Sequence, residues 1–120
     1  MTRTWTIRLP YTKPPLSLND RMHWRKKASI TKDIRQYVLQ TAWYVIPACS
    51  AAEVELHYVP RDKRRRDRDN LVATLKPCMD GLVDAGVIPD DTPEFLTWTV
   101  HIDPPSTDPH LFLLVKEAAQ

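Results

Sequence analysis

Polar and apolar residues alternate at the start of the chain, with Trp5, Ile7 and Leu9 on one side and Thr4, Thr6 and Arg8 on the other. A period of two predicts a half-buried strand, and Pro10 ends it. Over residues 29–46 the spacing changes: Ile30, Ile34, Tyr37, Val38, Thr41, Ala42 and Val45 fall on one face of a helix that Pro47 stops. Alternation returns with Val54, Leu56 and Tyr58 set against Glu53, Glu55 and His57, a second strand that delivers the chain to Pro60. From Asn70 onward, Leu71, Leu75, Cys78, Met79, Leu82 and Val83 form a helical stripe from about residue 70 to 85. Asp69 or Asn70 can cap its start with a side-chain oxygen, and Gly86 can close it in the left-handed conformation. Pro77 removes one backbone bond. Either the helix kinks there, or residues 70–76 form a separate turn and the main helix begins near Pro77. Leu96, Trp98, Val100 and Ile102 mark a third strand and residues 111–115 a fourth, with the proline-rich segment 103–109 expected to join them as a hairpin. The order is β-α-β-α-β-β, an α/β (α+β) single domain over residues 1–120 with a four-stranded mixed sheet and two helices.

Composition narrows the class. At 120 residues the chain can bury about two-thirds of its unfolded surface without staples. Cys49 and Cys78 make no metal-ligand spacing, and Cys78 lies on the apolar stripe, as expected for a reduced compartment. No apolar run approaches the ~20 residues of a membrane span, and the N-terminus lacks a signal-peptide core, so a cytoplasmic location is expected. The two glycines, Gly81 and Gly86, are too few for a phosphate-cradling loop, which argues against a nucleotide cofactor. His23, His57, His101 and His110 are scattered without a metal-binding spacing and read as ordinary surface or sheet histidines. The net charge of +2 conceals a division: residues 1–69 carry 15 Lys and Arg against 7 Asp and Glu, whereas residues 70–120 carry 2 against 8. Such asymmetry points to a nucleic-acid surface; a dimer pairing basic with acidic faces would show the same pattern.

The densest charge lies in residues 61–69. Asp67 and Asp69 stand among Arg64, Arg65, Arg66 and Arg68, a mixture suited to a polyanion held beside a divalent metal. Arginines neutralise phosphates, and closely spaced carboxylates supply the hard oxygen ligands that magnesium takes together with a substrate phosphate. The plain alternative is a solvated face, which like-charge runs usually are. On a helix turning about 100° per residue, Lys76, Asp80 and Asp84 form one row and Asp69 lies above it. The carboxylates would then sit at the positive end of the helix dipole. A turn after Gly86 could return Asp90 and Asp91 to the same place. Upstream, Arg25, Lys26 and Lys27 belong to a basic loop over residues 10–28. Trp24 in that loop either covers the core or stacks on a nucleotide, and Asn19 is either a turn residue or a support for the site.

Together, Asp67-Arg68-Asp69-Asn70-Leu71, Lys76, Asp80, Gly86 and Asp90-Asp91 resemble the RusA family of Holliday-junction resolvases, small endonucleases of bacteria and their phages. The likeness extends over nearly the whole chain, including Pro14-Pro15-Leu16-Ser17-Leu18-Asn19. It implies catalytic, metal-holding aspartates at Asp67, Asp69 and Asp91, an active-site lysine at Lys76, and secondary roles for Asp80 and Asp90. In the family's best-known pattern the lysine follows the second aspartate by one helical turn; Ala73 stands there in this chain, and Lys76 comes three residues later.

The expected function is therefore a Mg2+-dependent endonuclease, with Mn2+ a possible substitute, that cuts four-way junction DNA as a homodimer in a bacterial or phage-infected cell. Arg64, Arg65, Arg66, Arg68, Asn19, Arg25, Lys26 and Lys27 would contact the DNA. A non-catalytic DNA-binding module would show the same basic surfaces. A nuclease of flaps or RNA hybrids differs only in substrate, and a sugar-nucleotide transferase would need a second domain for which 120 residues leave little room.

Overall fold

In a computed structural model, which describes residues 2–18 and 21–118, the element order agrees with the sequence pattern. Strand β1 spans Thr4–Arg8, helix α1 Trp24–Val45 and β2 Ala51–Val59; a 3-10 turn at Arg68–Leu71 leads into α2, Val72–Asp84, followed by β3, Leu96–Ile102, and β4, His110–Ala118. The four strands form one mixed sheet in the order β1-β4-β2-β3. β4 pairs antiparallel with both β1 and β2, and β3 pairs parallel with β2.

The expected β3–β4 hairpin does not form. The chain between β2 and β3 contains a whole helix, long enough to carry it back to the start of β2, so β3 runs parallel. Residues 103–109 then cross the end of β2, held there by Asp103 N–H donating to the Tyr58 carbonyl (2.8 Å) and Ser106 N–H to that of Pro60 (2.9 Å). β4 enters the middle of the sheet, where its residues suit two covered faces: Leu111, Leu113 and Val115 are fully buried, while Phe112 and Leu114 are half-buried on the reverse side. β3, with exposed Thr97, Trp98 and Thr99, takes an edge.

One core joins Ile7 of β1, Ile34, Val38 and Ala42 of α1, Val54 and Leu56 of β2, Leu75, Cys78 and Leu82 of α2, and Leu111 and Leu113 of β4. Both helices thus cover the same face of the sheet. They meet where Gly81 of α2 rests on α1: a Cβ there would stand 2.7 Å from the Arg35 carbonyl oxygen and 2.9 Å from Val38 Cβ. Arg35 then reaches across to Asp84, Nε to Oδ2 at 2.5 Å.

Three boundaries differ from expectation. α1 begins at Trp24, not near Ser29, because His23 caps it by accepting the Arg25 N–H on Nδ1 (3.2 Å). Its first turn is too polar to carry an apolar period. Arg25, Lys26 and Lys27 are therefore helical, and Trp24 is 67% exposed instead of covering the core. α2 continues through Pro77, whose ring is buried, so no new helix starts there. Neither Asp69 nor Asn70 caps α2, whose N-cap position, Leu71, makes no side-chain cap bond; Asp67 Oδ1 instead accepts from the Asp69 N–H (3.0 Å), opening the 3-10 turn that precedes α2.

Candidate functional site

The site is built where β2 ends and α2 begins. Past Pro60 the basic run is largely exposed, and Asp62 gathers part of it. Its carboxylate accepts from the Arg64 N–H (3.0 Å) and the Arg66 guanidinium (2.9 Å), and pairs more loosely with the side chains of Arg61 and Arg64. The Arg64 backbone amide first, then Arg66, holds the Asp62 carboxyl below its usual range. Arg66 also donates to the carbonyls of Asp62 and Arg64 and lies over the Tyr58 ring. Five cations in a short loop, Arg61, Lys63, Arg64, Arg65 and Arg66, repel one another, and this acid offsets the repulsion locally. Arg66 is thus engaged in shaping the loop.

Arg61, Arg64 and Arg66 then line an open groove of about 690 Å3 together with Lys13, Asp67 and Asn70. Its opposite rim carries Pro14 and Ser17, from the segment that sequence resemblance singled out. Thr74, the buried polar residue of α2, fixes that segment: its hydroxyl donates to the Leu16 carbonyl (2.9 Å) and accepts the Leu16 N–H (3.3 Å). A threonine three residues after Leu71 on the apolar stripe was the available sequence signal. Arg65, Arg68, Arg25, Lys26 and Lys27 are exposed and lie outside the groove lining. Asn19 lies outside the described residues.

The helix end brings the second acidic group back. Gly86 adopts φ +77°, the left-handed conformation that a side chain disfavours. Gly86 N–H donates to the Val83 carbonyl and Val87 N–H to that of Leu82, closing α2 in a paired turn. Val87 and Ile88 are buried, and the Cys49 N–H donates to the Val87 carbonyl (2.7 Å). So anchored, the chain returns Asp91 to α2, where its Oδ2 accepts from Lys76 Nζ at 3.0 Å. Lys76 holds the Asp91 carboxyl below its usual range, and Asp91 in turn raises the lysine. Asp90 accepts the Asp91 N–H on Oδ1 (2.8 Å). Asp80, half-buried on α2, adds its field to Lys76.

The donor set is right in kind for magnesium. Asp67 and Asp69 are exposed carboxylates with an amide side chain, Asn70, beside them, and magnesium is commonly held by one or two carboxylates completed by water and substrate phosphate. Asp67, Asp69 and Asp91 do not converge as a closed three-ligand cluster. Among the described residues, the His, Cys, Asp and Glu group whose ligand atoms all lie within 4.8 Å of one another is Glu55, His57 and His101.

That cluster was missed in the sequence because it is made by pairing. His57 of β2 stands opposite His101 of β3 in the parallel register, two strands whose neighbourhood no local spacing announces.

No family model matches the chain. It is similar to an uncharacterized protein of Xylella fastidiosa (strain Temecula1 / ATCC 700964), 29% identical over 91 residues that cover 71% of this chain and 60% of that protein. The chain thus spans less than two thirds of the length of the curated relative it matches. Among the described residues no helix is long and apolar enough to cross a membrane.

Proposed function

We propose that the chain is a magnesium-dependent, structure-selective endodeoxyribonuclease that resolves four-way DNA junctions. The observation that carries the reading is the return of Asp91 onto Lys76 of the helix that Asp67 and Asp69 introduce, with Asp67 itself on the wall of the arginine-lined groove. Asp67, Asp69 and Asp91 would hold the metal, which when bound supplies a Lewis acid for the scissile phosphate and a more acidic water. The groove cations Lys13, Arg61 and Arg64 hold the phosphodiester backbone, which fixes position without reading sequence. Lys76 offsets negative charge that develops on the phosphate as water attacks and one P–O bond breaks. Asp91 keeps the lysine charged and aimed. A junction is cut twice, so a two-fold homodimer would present two such sites to a pseudo-symmetric substrate. The free, buried Cys49 and Cys78 accord with a reducing, cytoplasmic setting in a bacterial or phage-infected cell.

The test is cleavage of a synthetic four-way junction, beside a duplex of the same sequence, in magnesium, manganese or EDTA. Paired symmetrical nicks that need the metal are expected, and Asp69→Asn should lower their rate by about two orders of magnitude or more. A second reading, a junction-binding module without catalysis, is favoured by the engagement of Asp91 with Lys76 and not with the other two aspartates. It predicts tight junction binding by the intact chain with no cutting in either metal.

A further inference from the structure

The helices leave one face of the sheet open, and on that face Glu55, His57 and His101 bring ligand atoms within 4.8 Å of one another. Glu55 Oε1 lies 2.7 Å from His57 Nε2 and 3.7 Å from His101 Nε2. The two imidazoles are stacked, with centroids 4.4 Å apart and planes inclined by 11°, and Phe112 covers the outer side of His57 (4.7 Å, 2°). At His57 the other nitrogen, Nδ1, is 3.0 Å from both carboxylate oxygens of Asp103. A neutral imidazole carries one N–H. His57 therefore has a carboxylate oxygen at each ring nitrogen, Asp103 at Nδ1 and Glu55 at Nε2, and one N–H cannot serve both.

We infer that Glu55, His57 and His101 form a binding site for a borderline transition-metal dication of the zinc class, separate from the aspartates assigned to magnesium. Two imidazole nitrogens and one carboxylate oxygen match the ligand preference of zinc and its neighbours and not that of magnesium, which takes oxygen. The surroundings also have the form of an outer shell. Asp103 fixes the tautomer and ring direction of His57, as a carboxylate behind a metal-bound histidine does. Lys116 Nζ holds the other Glu55 oxygen, Oε2, at 2.6 Å, which leaves Oε1 turned toward the histidines. The Thr99 hydroxyl lies 2.8 Å from His101 Nε2, at the nitrogen that the metal would take, and can rotate away. His57 and Glu55 are mostly covered, with 14% and 13% of their side chains exposed, and His101 opens to solvent at 39%. Three protein ligands and one wet side leave a fourth position for water or an external ligand. Because His57 and His101 belong to different strands, a bound ion would clamp the edge strand β3 to β2.

Cobalt(II), whose visible absorption reports tetrahedral nitrogen and oxygen ligation, is titrated into the untagged full chain, followed by competition with zinc. A single saturable site per chain is expected, together with a rise in melting temperature that grows with zinc concentration. His101→Ala, at a half-buried edge-strand position, should weaken binding by about 100-fold or more, and Asp103→Asn by about 10–100-fold. His110→Ala and Asp69→Asn should leave it unchanged. Absence of a saturable site, or binding in His101→Ala equal to that of the intact chain, would overturn the assignment. Loss of binding in Asp69→Asn would overturn it too, by moving the ion to the proposed nuclease centre. The outcome does not depend on whether the chain cuts DNA.

Discussion

Single residues set the limits within which the site can operate. Thr74 satisfies both polar groups of Leu16 inside the core, so Thr74→Val should leave a buried N–H and C=O unpaired and cost about 1–3 kcal/mol. Chemical denaturation would measure this, and junction binding should weaken with it because the Pro14–Ser17 rim loosens. The Lys76–Asp91 pair has a defined pH window. Asp91 is lowered from its ordinary 3.8 by Lys76, so its contribution is present above that value and disappears as pH falls through the lower folded one. Lys76 is raised from 10.5 by Asp91, so its contribution is complete below 10.5 and disappears as pH rises through the higher folded value. Melting curves taken across pH should therefore differ between the intact chain and Asp91→Asn mainly between these limits, and the difference should shrink outside them. Cys78 is fully buried and its thiol is pushed strongly up by desolvation; it should react with thiol reagents only at the rate at which the protein opens.

At the scale of elements, the helix pair is held by an approach that admits no side chain. Gly81→Ala would drive a methyl group into the Arg35 carbonyl and Val38, and a cost of about 1–3 kcal/mol is expected from forced displacement of two packed helices. Thermal unfolding of that variant is the check. The same scale shows what the sequence made legible. Helices and strands with strong periods appeared where the pattern placed them, and the Gly86 stop was read from chemistry that a single residue carries. The polar first turn of α1 has no apolar period, so its extent depended on a histidine cap. The cap at Asp67 opens a 3-10 turn ahead of α2, which leaves no mark in a four-residue spacing. At the candidate site, the meeting of Lys76 and Asp91 was legible because one helix and one turn connect them. The roles of Thr74 and the Glu55–His57–His101 cluster were not, since each depends on which segments become neighbours in space; that of Asp62 rests on local contacts to Arg61, Arg64 and Arg66, set by a loop conformation that no helix or strand period marks.

For the whole molecule, the uneven distribution of charge along the chain becomes a groove lined by Lys13, Arg61, Arg64 and Arg66. If that groove carries DNA, its affinity should fall steeply with salt, log K against log salt having a slope of about −0.9 per phosphate neutralised. Arg64→Ala should flatten the slope by about one unit in a filter-binding or anisotropy series, without changing preference among sequences. The arrangement of the sheet has a different consequence, for the order in which the molecule can be assembled. β1 hydrogen-bonds to β4 and to no other strand, and β4 also separates β1 from β2. While the chain is being synthesised, the helices and the β2–β3 pair can form early from contacts of modest sequence separation. The first strand must wait, unpaired, until the last one has emerged. Closing so long a loop late makes β1 docking a slow, entropically costly step, and until it happens β4 presents an open edge to any other strand nearby.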